Sequence, residues 1–204
     1  MCCRYYYEDF ERDLRELMRA LEVVRLPEPV PVEKTRRDVY PSQAGVVIHG
    51  NGRRGSAVEA SEMYWGFSNP VNKSLIINAR AETARERKTF ADSIERRRCV
   101  VPASGFYEWD THKSKFRFTS PDGGLLLFAG FYREEKGVPR YTILTTAANE
   151  SMIRVHDRMP VMIGRDEIIP WLEDNERLQE FLSREQFPLM SERESGQISF
   201  VFDE

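Results

Sequence analysis

The chain is constrained most by a succession of short β-branched and aromatic runs separated by turn-forming residues. None is long enough to be a normal helix, and each can bury a face only beside another strand. Val46-Val47-Ile48 leads into His49-Gly50-Asn51-Gly52, a hairpin signal, and then a second strand through Met63-Tyr64-Trp65-Gly66-Phe67. Further strands are expected at Cys99-Val100-Val101, 105–109, 116–119, 125–132, 141–146 and 198–202, with turns at Asp122-Gly123-Gly124 and Gly137-Val138-Pro139. Helical patterns lie at the periphery. Residues 8–24 put Phe10, Leu14, Leu17, Met18 and Leu21 on one face before Pro27, Pro29 and Pro31 end the pattern. A charged segment around Phe90 and Ile94, a short stretch after Asn149 and two segments between Ile168 and Leu182 also read as helices. The pattern predicts one α+β domain over residues 1–204, with a curled, largely antiparallel, barrel-like sheet and peripheral helices.

At 204 residues and 41% hydrophobic, the chain can bury one sizeable core. It contains no apolar run near the roughly 20 residues that span a bilayer, and its start lacks the pattern of a secretory signal. A cytoplasmic, monomeric protein with no membrane association is expected. Three cysteines, two of them adjacent, form no disulfide framework, and the usual metal-ligand spacings are absent, so neither a metal nor another cofactor is expected. The net charge of −3 conceals an asymmetry: residues 166–204 carry −8 and residues 1–165 carry +5. A basic body is compatible with a polyanion partner.

Four places carry candidate chemistry. If Met1 is removed, Cys2 has a free α-amine beside its thiol, a 1,2-aminothiol that can form a Schiff base with an aldehyde and close to a thiazolidine. Cys3, with its nitrogen in a peptide bond, cannot. Asn78-Ala79-Arg80 follows the apolar Leu75-Ile76-Ile77 and reads either as a polar site or as a strand end with an Asx turn. In Gly105-Phe106-Tyr107-Glu108-Trp109, period-two alternation sets Glu108 on the face of Phe106, a desolvated setting suited to proton transfer, or else leaves it on a wet edge strand. His156, one of three histidines, sits in Val155-His156-Asp157-Arg158-Met159-Pro160 as a proton carrier or a structural turn residue. Arg158 would hold a phosphate or pair with Asp157.

Together, Met1-Cys2-x-Arg4-Tyr5, Trp65-Gly66-Phe67, Asn78-Ala79-Arg80-Ala81-Glu82-Thr83, Arg97-Arg98-Cys99, Pro102-Ala103-x-Gly105-Phe106-Tyr107-Glu108-Trp109 and His156-Asp157-Arg158-Met159-Pro160 resemble the SOS response-associated peptidase (SRAP) family. The blocks occur in the family's order and spacing as far as about residue 172; the acidic part from about residue 173 is less well covered. The resemblance implies a protein of the DNA damage response that captures abasic sites in single-stranded DNA, especially near junctions with duplex. It would act through a thiazolidine crosslink on Cys2, working in the cytoplasm and at the nucleoid when on DNA.

Carried over by motif, Cys2 supplies amine and thiol, Asn78 orients the reacting end, Glu108 handles protons near the amine, and His156 helps open the deoxyribose. Arg4, Arg80 and Arg158 would bind phosphates, Trp65 would offer an aromatic platform to a base, and the Thr145 hydroxyl would add a phosphate contact. The chain departs from the family at Cys3, where glycine is usual, and at Asp38 and Tyr40, where asparagine and alanine are usual. Two other readings use the same residues: a cysteine-type peptidase acting on its own N-terminus, and a non-covalent single-stranded DNA-binding module.

Overall fold

The structure, a computed structural model, describes residues 3–21, 36–50, 55 and 57–194. Cys2, the end of the first helical pattern with its prolines, the Asn51-Gly52 turn and the strand expected at 198–202 lie outside the described residues. The elements in chain order are β1 (Arg4–Tyr7), α1 (Phe10–Ala20), β2 (Arg37–Val39), β3 (Ala44–His49), β4 (Glu59–Trp65), β5 (Phe67–Ser68), β6 (Leu75–Ile76) and β7 (Asn78–Arg80). They continue as α2 (Ala81–Ala84), α3 (Ala91–Arg96), β8 (Arg98–Ala103), β9 (Gly105–Trp109), β10 (Lys115–Thr119), β11 (Leu126–Glu135), β12 (Val138–Ala147), β13 (Arg158–Pro160), α4 (Ile168–Glu173), α5 (Leu178–Ser183) and β14 (Met190–Arg193).

Two sheets face each other. In the larger, β11, β8, β3, β4 and β12 close into a ring because β12 pairs with β11 as well as with β4. Beyond the ring, β12 also pairs with β7 and β13. Pairing is antiparallel except where β12 meets β4 and β7, so the expected α+β fold with a curled, mainly antiparallel, barrel-like core is the one observed. The second sheet runs β14-β10-β9-β1-β2 and places the N-terminal strand between β9 and β2. Phe106 and Tyr5 point from it into the interior, where each packs edge-on against Phe128 of the ring.

Lys136 and Gly137, both at positive φ, turn β11 into β12, matching the two-residue hairpin that fits strand twist. Pro139, expected in the turn, is therefore in β12 opposite Glu134. The segment after Asn149 is not a helix. It is a chain of turns in which the Asn149 side chain accepts from the Ser151 N–H and donates to the Gln186 and Phe187 carbonyls. Asparagine competes for the backbone in this way and opens turns instead of continuing helices. In α1, Phe10, Leu14, Leu17 and Met18 are buried, as their spacing requires. Arg98, the last of three consecutive arginines at 96–98, is buried and donates to the Ile94, Glu95, Trp171 and Leu172 carbonyls and to Asn175 Oδ1. It satisfies carbonyls that the ends of α3 and α4 leave open, so it is a structural cation and not a phosphate ligand.

The two sheets are pinned together by hydroxyls. Tyr5 OH lies 2.5 Å from Tyr141 OH and 3.3 Å from Tyr7 OH, and Tyr7 OH accepts the Val46 N–H at 2.8 Å. Burial pushes the Tyr7 hydroxyl up to about 12 and holds that of Tyr5 well above its ordinary value, so both stay neutral. Gly45 makes the arrangement fit: a Cβ there would stand 2.7 Å from Tyr141 OH and closer still to Tyr5 OH. Gly45→Ala should cost on the order of 1–3 kcal/mol by overpacking. Tyr5→Phe in the same chain should recover part of that loss, as coupled neighbours do. Thermal denaturation of the two single variants and the double variant checks this; strict additivity would contradict it.

Candidate functional site

The residues singled out from sequence form two groups. The first surrounds the N-terminal strand. Arg4 pairs with Tyr107 across the β1–β9 ladder, and Glu108 is the next residue along β9. Glu108 is 4% exposed and projects on the inward face with Phe106, so it is not a wet edge residue. One of its oxygens accepts the Trp109 N–H at 3.2 Å. Cys3 is half-buried, and burial together with the negative charge of Glu108 pushes its thiol up. The carboxylate thus acts on the residue adjacent to Cys2. Cys99, the other described cysteine, is fully buried, and burial holds its thiol well above the usual range and inert.

The second group gathers where β12 exchanges partners. Asn78 stands opposite Ile143, Arg80 opposite Thr145, and Arg158 opposite Ala147. Arg80 is exposed at the end of β7. Arg158 Nη1 and Nη2 donate to the two carboxylate oxygens of Glu82 at 2.6 and 2.8 Å, and Nη2 also reaches the Thr145 carbonyl at 2.6 Å. Arg158 therefore pairs with Glu82, a residue inside the Asn78–Thr83 motif to which the sequence reading gave no role. Asp157 lies beside His156 instead. Thr145 is 1% exposed with its hydroxyl toward the Ala79 carbonyl, so it supports Arg158 from within and presents no hydroxyl to a phosphate.

His156 Nδ1 accepts the Arg158 N–H at 2.9 Å, so the neutral ring carries its proton on Nε2. The Asp157 carboxylate, also 2.9 Å from Nδ1, is a partner only for a ring protonated there. The two contacts compete for one nitrogen.

Trp65 corrects an expectation. It is completely buried, its Nε1–H donates to the Ile77 carbonyl at 2.9 Å, and Tyr5 and Tyr141 lie against it, so no base can stack on it. Alternation along β4 explains this: Met63 and Trp65 face inward while Glu62 and Tyr64 face out. The exposed aromatic in the first group is Tyr40, 40% exposed with the Arg4 guanidinium 5.0 Å from its ring centre. Arg4 also lies over Tyr107 and pairs with Asp38 at 2.6 Å. Tyr5, Trp65 and Ile77 form a line of contact from the first group to the backbone beside Asn78.

No cluster of three or more histidine, cysteine or acidic residues suited to a metal occurs among the described residues. A cleft of about 580 Å³ between 120–127 and 162–165 contains none of these candidate residues.

The hydrogen bond from Arg158 lowers the Glu82 carboxyl below its ordinary value. A lowered carboxyl contributes stability that is complete above about 4.3 and fades as pH falls through the folded value. Because Glu82 is half-exposed, the contribution should not exceed about 1 kcal/mol. Urea midpoints of wild type and Glu82→Gln should differ at pH 6 and converge towards pH 3; a gap independent of pH would mean the pair contributes no charge term.

A sequence model described as "SOS response associated peptidase (SRAP)" matches residues 1–197. The chain is 37% identical over 149 residues to the abasic site processing protein YoaM of Bacillus subtilis, covering 66% of this chain and 64% of that protein. It is 26% identical over 173 residues to the abasic site processing protein YedK of Escherichia coli, covering 81% of this chain and 71% of that one. The match to YoaM thus spans a little under two thirds of that relative's length. A crystal structure of a Bordetella bronchiseptica protein shares the fold with a TM-score of 0.74 at 24% identity, over 95% of this chain and all of that one. One from Bacteroides thetaiotaomicron does so with 0.73 at 19%, over 96% and 93%. The chain belongs to the SOS response associated peptidase (SRAP) family.

Proposed function

We propose that the protein processes abasic sites in single-stranded DNA, including those near duplex junctions, by forming a covalent thiazolidine with its N-terminal cysteine. The observation that carries this reading is the N-terminal strand itself, held between β9 and β2 with the buried Glu108 acting on the residue next to Cys2. The names of YoaM and YedK support the substrate class.

An α-amine has an ordinary pKa of about 7.7–8.0 and attacks only when neutral. With Met1 removed, Glu108 takes the ammonium proton of Cys2. The nitrogen then adds to the aldehyde carbon of the ring-opened deoxyribose, and water leaves as the imine forms. The Cys2 sulfur closes on the same carbon while its proton passes to the nitrogen. Aldehyde and aminothiol thereby become thiazolidine and water, with no oxidant or metal required. Closure removes the imine that would otherwise promote β-elimination and strand cleavage. His156 is suited to assist opening of the sugar, in which the proton of the anomeric O–H is lost and the ring oxygen gains one, and Asn78 orients the reacting end. Cys3, raised by burial and by Glu108, remains a thiol and a bystander.

Binding is electrostatic and indifferent to sequence. Arg80 is exposed for a phosphate, whereas Arg4 and Arg158 must exchange Asp38 and Glu82 for one. Tyr40, and not Trp65, is the aromatic surface beside that path.

The decisive test is a denaturing gel of Met1-free protein with single-stranded DNA bearing one abasic site. Wild type and Cys3→Ala should give a shifted band, Cys2→Ala none, and Glu108→Gln a band that forms at least tenfold more slowly. A band retained in Cys2→Ala would overturn the assignment. Self-removal of Met1 that is lost in Glu108→Gln, without any adduct, would favour the peptidase reading. On undamaged single strands, Arg80→Ala should weaken binding and lower the slope of log affinity against log salt by about 0.7; an unchanged slope would remove Arg80 from the phosphate path.

A further inference from the structure

The outer face of the five-stranded sheet carries a layer of cations over aromatic rings. Alternation places Arg4 and Tyr6 of β1, Tyr107 of β9, and Lys115 and Arg117 of β10 on this face. Lys115 Nζ is 3.7 Å from the centre of the Tyr107 ring, the Arg4 guanidinium is 4.7 Å from it, and Arg36 lies 4.0 Å over Tyr6 and 4.9 Å over Tyr107. Like charges packed over two rings require counter-charges. Asp38 serves Arg4, and the C-terminal strand serves the rest. Glu194 meets Lys115 at 2.5 Å and Arg36 at 3.4 Å, while Glu192 pairs with Arg117.

The segment that brings these glutamates, β14 and the residue that follows it, is unusual. All four residues of β14 are exposed, so it buries no side chain and is held by its ladder to β10 and by those ion pairs. Partly exposed pairs are individually weak and are screened by salt. A strand held in this way can be displaced by a competing polyanion.

We infer that the outer face of β1, β9 and β10 is a binding strip for the phosphodiester backbone of single-stranded nucleic acid, and that Glu192 and Glu194 occupy its cations until a strand displaces them. Charge complementarity identifies the occupant. Tyr6 and Tyr107 are each only 1% exposed beneath the cations, so the strip offers charge to phosphates and no open ring to bases. It therefore reads backbone without sequence. The inference rests on the proposed function in one respect, that Arg4 and β1 join the strip to the N-terminal residues, and it makes Glu192 and Glu194 a brake on loading.

The test is fluorescence anisotropy of the full chain with oligothymidine lacking abasic sites, across a sodium chloride series. Glu192→Gln/Glu194→Gln should bind about tenfold tighter than wild type at low salt, with a slope steeper by about 2, since each further phosphate neutralised on a single strand adds about 0.7. Glu176→Gln/Glu185→Gln changes net charge equally at exposed residues that make no ion pair with the strip, and should bind like wild type. Adding Lys115→Gln/Arg117→Gln to the first variant should abolish its gain. Equal binding by Glu192→Gln/Glu194→Gln and wild type, or an equal gain in Glu176→Gln/Glu185→Gln, overturns the inference. Crosslinking to abasic DNA is read in parallel: loss of crosslinking with the anisotropy gain intact removes the abasic-site reading alone, and crosslinking without the gain removes the strip alone.

Discussion

The contact on which the rest of the structure depends is that of Tyr5 with the ring-shaped sheet. Its hydroxyl meets Tyr141 and Tyr7, its ring meets Trp65 and Phe128, and it is completely buried. Chain ends are ordinarily the least ordered part of a domain. Here a large aromatic side chain three residues after Cys2 is part of the core, so displacing the strand would open a cavity and strand buried hydroxyls. That cost fixes the chain from Tyr5 onward, immediately after the residues to which the proposed chemistry is assigned. On the proposed function, the reaction would then need little further ordering of the protein, because much of the orientational entropy is lost on folding.

A second constraint concerns charge. Four cations around the N-terminal strand and a fifth beside β12 are held by carboxylates of the same chain: Arg4 by Asp38, Arg36 and Lys115 by Glu194, Arg117 by Glu192, Arg158 by Glu82. Pairing keeps guanidinium groups oriented and the folded state free of self-repulsion. On the proposed function it would also lower the net gain on binding DNA, because each phosphate replaces an existing partner. If the proposed covalent end point holds, tight reversible binding is not needed, and modest, exchangeable affinity would let the protein leave undamaged strands.

Much of this was legible in the sequence. The spacing of Phe10, Leu14, Leu17 and Met18 identified α1, alternation placed Glu108 with Phe106, and the Lys136-Gly137 turn was recognisable to within two residues. The misreadings share a physical cause. Residue type alone suggests a platform at Trp65, whereas the alternation of Met63 and Trp65 against Glu62 and Tyr64 marks it as interior. Local spacing offers Arg158 a phosphate or its neighbour Asp157, whereas its partner Glu82 arrives through the parallel pairing of β7 with β12, a non-local contact that periodicity cannot reveal. For the same reason β14 was missed: with every residue exposed, it has no hydrophobic pattern, and only the free edge of β10 makes it a strand.

Cys3, the departure from the family's glycine, follows from the same geometry. Two adjacent thiols at a reactive terminus would be a liability if both were nucleophilic, since either could attack an imine carbon held between them. Burial and the Glu108 charge act against ionisation of the Cys3 thiol, and only the thiolate is a strong nucleophile. On the proposed function this leaves the role of nucleophile to Cys2: the Cys3 nitrogen lies in a peptide bond and cannot form the imine, and its sulfur is held as a thiol by burial and by the neighbouring anion.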